Sequence, residues 1–199
     1  MSRFPELCVR PVSIHDAGAL QDFFAELASQ ASRSWPAHPT VPAHARHLCT
    51  CDDTVASCEI ACLGPELVGC AVVGWQFREK TLARLRLAGA PPDPAADALV
   101  SLHVADAWQG MGLAHLLVQR AAVLARQRRR TRLVLAGGLP ADAPNLIGLY
   151  EALGFRTVGR DPAGARTVEM VLDLDAQAPG QAHHPPPPRE PRHRPVGIR

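Results

Sequence analysis

The order of apolar runs along this chain predicts an α/β domain built on a mixed, mostly antiparallel sheet with a central parallel strand pair and helices on both faces. Three observations carry that expectation. Two runs rich in Val, Ile, Cys and Trp, residues 54–63 and 67–77, flank the turn Gly64-Pro65-Glu66, the pattern of an antiparallel hairpin. A third run, residues 98–104, passes through a glycine turn into an amphipathic helix and emerges in a fourth, residues 132–136, so those two strands should lie parallel. A short helix and a closing pair of strands complete the order.

Residues 6–12 alternate as a short strand, and Ser13-Ile14-His15-Asp16 supplies cap-type residues before a helix over 17–28. From 32 to 53 the chain is rich in Pro, His and Ser, with a short helix expected around 43–48. After the hairpin, the basic stretch and AGAPPDPAAD of residues 78–96 predict a loop. The helix over 112–128 carries Leu113, Leu116, Leu117, Ala121, Leu124 and Ala125 on one side. A short helix over 145–153 ends at Gly154, and strands follow at 155–158 and 166–174. Beyond Asp175 the composition turns to proline, histidine and arginine, so residues 1–175 read as the folded domain and 176–199 as a Pro-rich disordered tail. His183, His184 and His193 lie there without a scaffold to fix metal geometry.

The 199 residues, 47% hydrophobic, suffice for one core. A formal charge of +2 argues against nucleic-acid binding as the main task. The one basic cluster, Arg126 to Arg132, falls where the long helix ends, and cations there complement the helix dipole; a polyanion patch is the alternative. With no long apolar run and no signal-like amino end, the expectation is a cytoplasmic protein with no membrane partner. The six cysteines then read as reduced thiols. His44, His47, Cys49 and Cys51 crowd four ligand types into eight residues, without the separated pairs of a zinc module, so no metal is expected.

The stretch 106–115, DAWQGMGLAH, holds the chemistry. A helix start leaves amide N–H groups without intrahelical partners at the positive end of the dipole. Glycines at 110 and 112 let a ligand approach those amides without meeting a Cβ, and such a nest suits a pyrophosphate. The same two glycines could equally serve a tight connection and nothing more. The spacing is neither the three-glycine dinucleotide fingerprint nor a P-loop, since no Gly-Lys-Ser/Thr follows.

Residues 104–114, VADAWQGMGLA, resemble the acetyl-CoA pyrophosphate loop of the GNAT N-acetyltransferases, with Gln109, Gly112 and Ala114 at the motif positions. A second signature of that family, Leu-Tyr-x-x-x-Gly-Phe, is matched by Leu149-Tyr150-Glu151-Ala152-Leu153-Gly154-Phe155. The resemblance spans residues 6–174 and implies the acyl-CoA N-acyltransferase fold. It implies that backbone amides of Gln109, Gly110, Met111, Gly112, Leu113 and Ala114 hold the diphosphate of acetyl-CoA, used as co-substrate. Leu102 and Val104 would pair with the pantetheine arm as if it were an added strand, and a strand amide would stabilise the tetrahedral oxyanion. Tyr150, the only tyrosine, would protonate the departing thiolate; read locally, it is also a core aromatic beside Phe155.

Where relatives commonly carry an asparagine, this chain has Ala143; Asn145 could meet the cofactor instead, or cap the helix after Pro144. The usual glutamate base is missing from both central strands. His103 has a suitable pKa, yet alternation turns it and Ser101 away from the face of Leu102 and Val104; water, Asp52 or Asp53 are the other candidates. No cysteine adjoins the motifs, so transfer should be direct to a primary amine of a small molecule, peptide or protein. A catalytically inactive acyl-CoA-binding regulatory module is the rival, a peptide partner acting through the tail a third reading, and a homodimer is left open.

Overall fold

The computed structural model describes residues 6–34, 44–160 and 167–174. The Pro-rich tail and the boundary at 175 lie outside the described residues. Eight strands form one sheet: β1 (Leu7–Pro11), β2 (Ala56–Leu63), β3 (Glu66–Gly74), β4 (Asp97–Val104), β5 (Arg132–Leu135), β6 (Leu139–Pro140), β7 (Arg156–Arg160) and β8 (Thr167–Asp173). Their order is β1-β2-β3-β4-β5-β8-β6, with β7 on the other side of β8. Only β4 and β5 pair parallel, joined by the long helix as the periodicity predicted. The helices are α1 (Ala17–Ser34), α2 (His44–Thr50), α3 (Glu79–Leu87), α4 (Leu113–Gln127) and α5 (Pro144–Ala152).

Alternation along β4 sorts the core into two faces. Ala98 and Val100 pack with Leu117 and Ala121 of α4 and Leu133, Leu135, Met170 and Leu172 of the sheet, with Tyr150 of α5 and Leu153 just past it in the same cluster. Leu99 points the other way, to Leu85 of α3, Val134 and Val171. Leu20, Phe23 and Phe24 of α1 cover Cys58, Ile60 and Cys70 on that second face. Each fully buried leucine is worth about 2 kcal/mol of transfer free energy, so both faces are needed to hold the sheet. At the start of α1 the Asp16 carboxylate accepts bonds from Arg10 Nη1 and Nη2 (2.7 Å each) and from the N–H and Oγ of Ser13 (2.8 Å each). The Arg10 pairing first, then the Ser13 bonds, hold it well below the usual carboxylate range.

The structure departs from the sequence reading at three places. Residues 78–96 are not a loop throughout, because α3 occupies Glu79–Leu87. Its start has no side-chain cap, and what holds it is tertiary: Leu85 and Ala88 are buried, Arg84 pairs with Glu169 of β8, and Ala88 sits on β7. A Cβ at Gly159 would stand 1.8 Å from the Ala88 carbonyl oxygen, so that docking requires glycine. Second, α1 runs on to Ser34 rather than ending at 28, and third, the two-residue strand β6 had no sequence signal. Four of the five arginines in the cluster have partners within the protein. Arg126 donates to the Leu174 carbonyl (2.6 Å), Arg128 stacks 4.8 Å over the Trp75 ring, Arg130 bonds the Pro94 carbonyl, and Arg132 forks onto Asp97 (2.7 and 2.6 Å).

Candidate active site

The site begins where two strands part. β4 and β5 pair from Asp97↔Arg132 to Val100↔Leu135, and the last bond is Ala136 N–H to the Val100 carbonyl (2.9 Å). Gly137 (φ 86°) and Gly138 (φ 68°) then turn the chain away, into β6 beside β8. β4 continues to Val104 with β3 on its other edge. Among the described residues, no strand pairs with 101–104 on the β5 side. Because the Val100 carbonyl faces β5, the N–H and C=O groups of Leu102 and Val104 face the same gap, while Ser101 and His103 bond towards β3.

The unpaired edge leads directly into the glycine turn. Ala105 N–H bonds the Val68 carbonyl (3.0 Å) and pins the strand end; Asp106–Trp108 make one 3-10 turn. Gln109 Nε2 donates to Asp106 Oδ1 (2.8 Å) and lies 3.4 Å from the Val104 carbonyl, which fastens the loop to its own strand. Trp108 Nε1 donates to Glu66 Oε1 (3.2 Å). Gly110 (φ 72°) and Gly112 (φ 88°) are left-handed, a conformation that favours glycine, and a Cβ on either would meet nothing within 4 Å. Tight packing is therefore not why they are glycines; the space beyond them is open. Gly112 is the N-cap of α4 and offers no side chain to the helix, and no acidic residue stands in the first turn. The first intrahelical bond is Leu116 N–H to the Gly112 carbonyl (3.2 Å), so the amides of Leu113, Ala114 and His115 have no helical acceptor. Met111, between the two glycines, is exposed.

On the α4 face, Leu102, Val104, Trp108, Ala114, Leu146 and Ile147 all pack against the cluster containing Tyr150. The Tyr150 ring is 7% exposed and meets Phe155 edge-on at 5.4 Å, so the packing role is real. Burial pushes its phenol up to about 12. Asn145 is not the cap of α5: Ala143 holds that position with Pro144 first in the helix, leaving Asn145 exposed one place further on, because proline's fixed φ is pre-organised for N1.

His103 stacks edge-on to Phe24 of α1 (5.7 Å), on the face away from Leu102 and Val104. Asp52 and Asp53 precede β2, whose Ala56 is level, across Gly74 of β3, with Leu99. They therefore stand at the far end of β4 from Val104, and their oxygens bond Thr54 N–H (2.7 Å) and Ser57 Oγ (3.3 Å). Sequence reasoning missed Glu169 and Arg84, which pair beneath the point where β5 turns away. A Cβ at Gly138 would lie 2.8 Å from Glu169 Oε1 and 2.9 Å from Arg84 Nη1. A carboxylate inside the apolar run TVEMVLD was the available signal; its partner was not legible. Among the described residues no three of His, Cys, Asp and Glu converge as metal ligands, and no helix is long and apolar enough to cross a membrane.

A family model for the acetyltransferase (GNAT) family matches residues 20–155. No curated protein matches the chain by sequence. Among solved structures, the GNAT domain of S. lividans PAT superposes with a TM-score of 0.63 at 22% identity, covering 83% of this chain and 89% of that one. yncA from Salmonella typhimurium, solved with its cofactor acetyl-CoA, gives 0.60 at 19% identity over 88% of this chain and 98% of the other. A GCN5-related N-acetyltransferase from Kribbella flavida gives 0.60 at 21% over 83% and 95%. At these identities the likeness is one of fold.

Proposed function

The chain belongs to the GNAT acetyltransferase family and is an acyl-CoA N-acyltransferase, and on that premise we propose that it transfers acetyl from acetyl-CoA directly to a primary amine of a small molecule, peptide or protein. The observation that carries this reading is the continuity of the free edge of β4 with the uncapped N-terminus of α4. Leu102 and Val104 present main-chain groups to the gap at the spacing an added strand requires, so they are assigned to the pantetheine arm. Gln109, Gly110, Met111, Gly112, Leu113 and Ala114 are assigned to the diphosphate, which the dipole end and open glycines suit without any basic side chain. The Leu102 N–H is the candidate donor to the oxyanion. Asn145, exposed in the first turn of α5, is assigned to the cofactor arm.

Tyr150 is assigned the proton for the departing thiolate. With its phenol near 12 it stays protonated at any working pH, and against a free thiol near 8.5 the full transfer is uphill by about 5 kcal/mol. Donation must therefore accompany thiolate departure in the closed site, where desolvation raises the thiolate's basicity too. Among the fold neighbours is a spermidine N-acetyltransferase chimera, at 16% identity, in keeping with an amine acceptor. Six free thiols fit a cytoplasmic place of action, and a homodimer is compatible with either acceptor class.

Calorimetry with acetyl-CoA and thiol release over a panel of polyamines, amino acids and peptide N-termini tests the reading. Binding together with turnover of one acceptor class supports it. Absence of binding overturns it. The missing carboxylate on residues 101–104 and on β5 favours a second reading, a regulatory acyl-CoA-binding module, for which binding without turnover and indifference to Tyr150→Phe are the signs.

A further inference from the structure

All six cysteines lie on α2 or just past it and on β1, β2 and β3, and the acetyl-transfer chemistry uses none of them. Two face each other. In the β1–β2 ladder Cys8 is the direct partner of Cys62, so both side chains share one face. Val12 N–H bonds the Cys58 carbonyl (2.9 Å), and counting back in twos makes Cys8↔Cys62 another hydrogen-bonded pair. Such a pair holds its Cα atoms about 5.5 Å apart, within the range a disulfide spans. Cβ atoms of a hydrogen-bonded pair stand at the wide end of the ladder range, about 5.5 Å, against roughly 3.8 Å in a disulfide, so the two residues must close by nearly 2 Å.

The surroundings permit that closure. Among the described residues β1 is an edge strand with β2 as its one neighbour, and the β2–β3 register shifts at Ala61/Cys62, where β2 is not held to a regular ladder. From these placements we propose that Cys8 and Cys62 form a reversible redox pair, a thiol modification site whose co-reactant is a low-molecular-weight disulfide of the oxidised-glutathione class.

Cys8 is exposed, whereas Cys62 is half-buried and burial pushes its thiol up, which makes Cys8 the entering thiol. The Cys8 thiolate attacks one sulfur of oxidised glutathione, forming a mixed disulfide and expelling one glutathione thiolate. Cys62, as thiolate, then displaces the second, closing the Sγ–Sγ bond. The two protein protons leave on two glutathione thiols; the protein is oxidised by two electrons and glutathione reduced by two. The bond ties the edge strand to the sheet and encloses the segment carrying α1 and α2. The strain of closing the strands leaves it readily reduced. Of the remaining cysteines, Cys58 and Cys70 touch each other but are buried inside the α1-covered core, and Cys49 and Cys51 are half-buried with thiols that burial pushes up, so none is as open to attack as Cys8.

The test is thiol counting and non-reducing peptide mapping of the full chain after treatment with oxidised glutathione. We expect free thiols to fall from six to four per chain, a linked Cys8–Cys62 peptide, and recovery of all six with dithiothreitol. Cys62→Ser should instead trap glutathione on Cys8, and Cys8→Ser should keep its five thiols free. The proposal is overturned if the unaltered chain retains six thiols, accumulates glutathione on Cys8 without the link, or joins any other pair. Mapping of the unaltered chain decides the matter even if a variant folds poorly, and no outcome bears on acetyl transfer.

Discussion

Replacing Gly112 by alanine separates what the glycine turn does for the backbone from what it does for a ligand. The residue has φ 88° and ψ 0°, where an L side chain costs roughly 1–2 kcal/mol. Gly89, just past α3 and outside the glycine turn, has φ 73° and an equally open Cβ position, so Gly89→Ala is a matched control for strain. Both variants should lose about the same stability in urea unfolding. Only Gly112→Ala places a methyl in the space from which the first-turn amides of α4 are approached. Losing one hydrogen bond from an amide to a charged diphosphate costs about 1.5–3 kcal/mol. At 1.4 kcal/mol per decade, that is roughly a ten- to 150-fold rise in the Kd for acetyl-CoA, read by calorimetry on folded protein. A Gly112→Ala protein that binds within about twofold of the unaltered chain, or a Gly89→Ala protein weakened as much, would refute the assignment of this nest to the diphosphate.

Tyr150→Phe should lower kcat by roughly 10²–10⁴-fold and leave the acetyl-CoA Kd unchanged, checked by steady-state kinetics beside calorimetry. The same variant has an alkaline signature. The phenol rises from 10.0 to about 12 on folding, so between those pH values the folded chain keeps a proton that the unfolded chain releases. Stability should therefore fall as pH climbs from 10 to 12, by about 2 kcal/mol, and Tyr150→Phe should remove that part of the slope in unfolding titrations. Arg132→Met leaves fully buried Asp97 with its two side-chain bonds broken at the root of the β4–β5 pair; chemical denaturation should report a loss of about 3 kcal/mol. Gly159→Ala drives a Cβ into the Ala88 carbonyl, and hydrogen exchange should show α3 losing protection before the central sheet does.

By itself the sequence determined which segments could be strands, which could be helices, and where exposed amides meet a glycine turn, because each of those is written within ten or so neighbouring residues. Alternation in 98–104, helical spacing in 113–125 and the pairing of Gly110 with Gly112 are local facts, and the parallel pair and the nest followed from them. The tertiary structure alone decided the gap beside Leu102 and Val104, since it exists because β5 leaves β4 after Leu135 and, among the described residues, no other strand takes its place. It likewise decided that uncapped α3 is a helix, that Asn145 is not a cap, that Asp52 and Asp53 face the wrong end of the sheet, and that Glu169 finds Arg84. Propensity and capping act over a turn or two, whereas these outcomes depend on which distant surfaces close over one another, and no pattern confined to one segment encodes its partner.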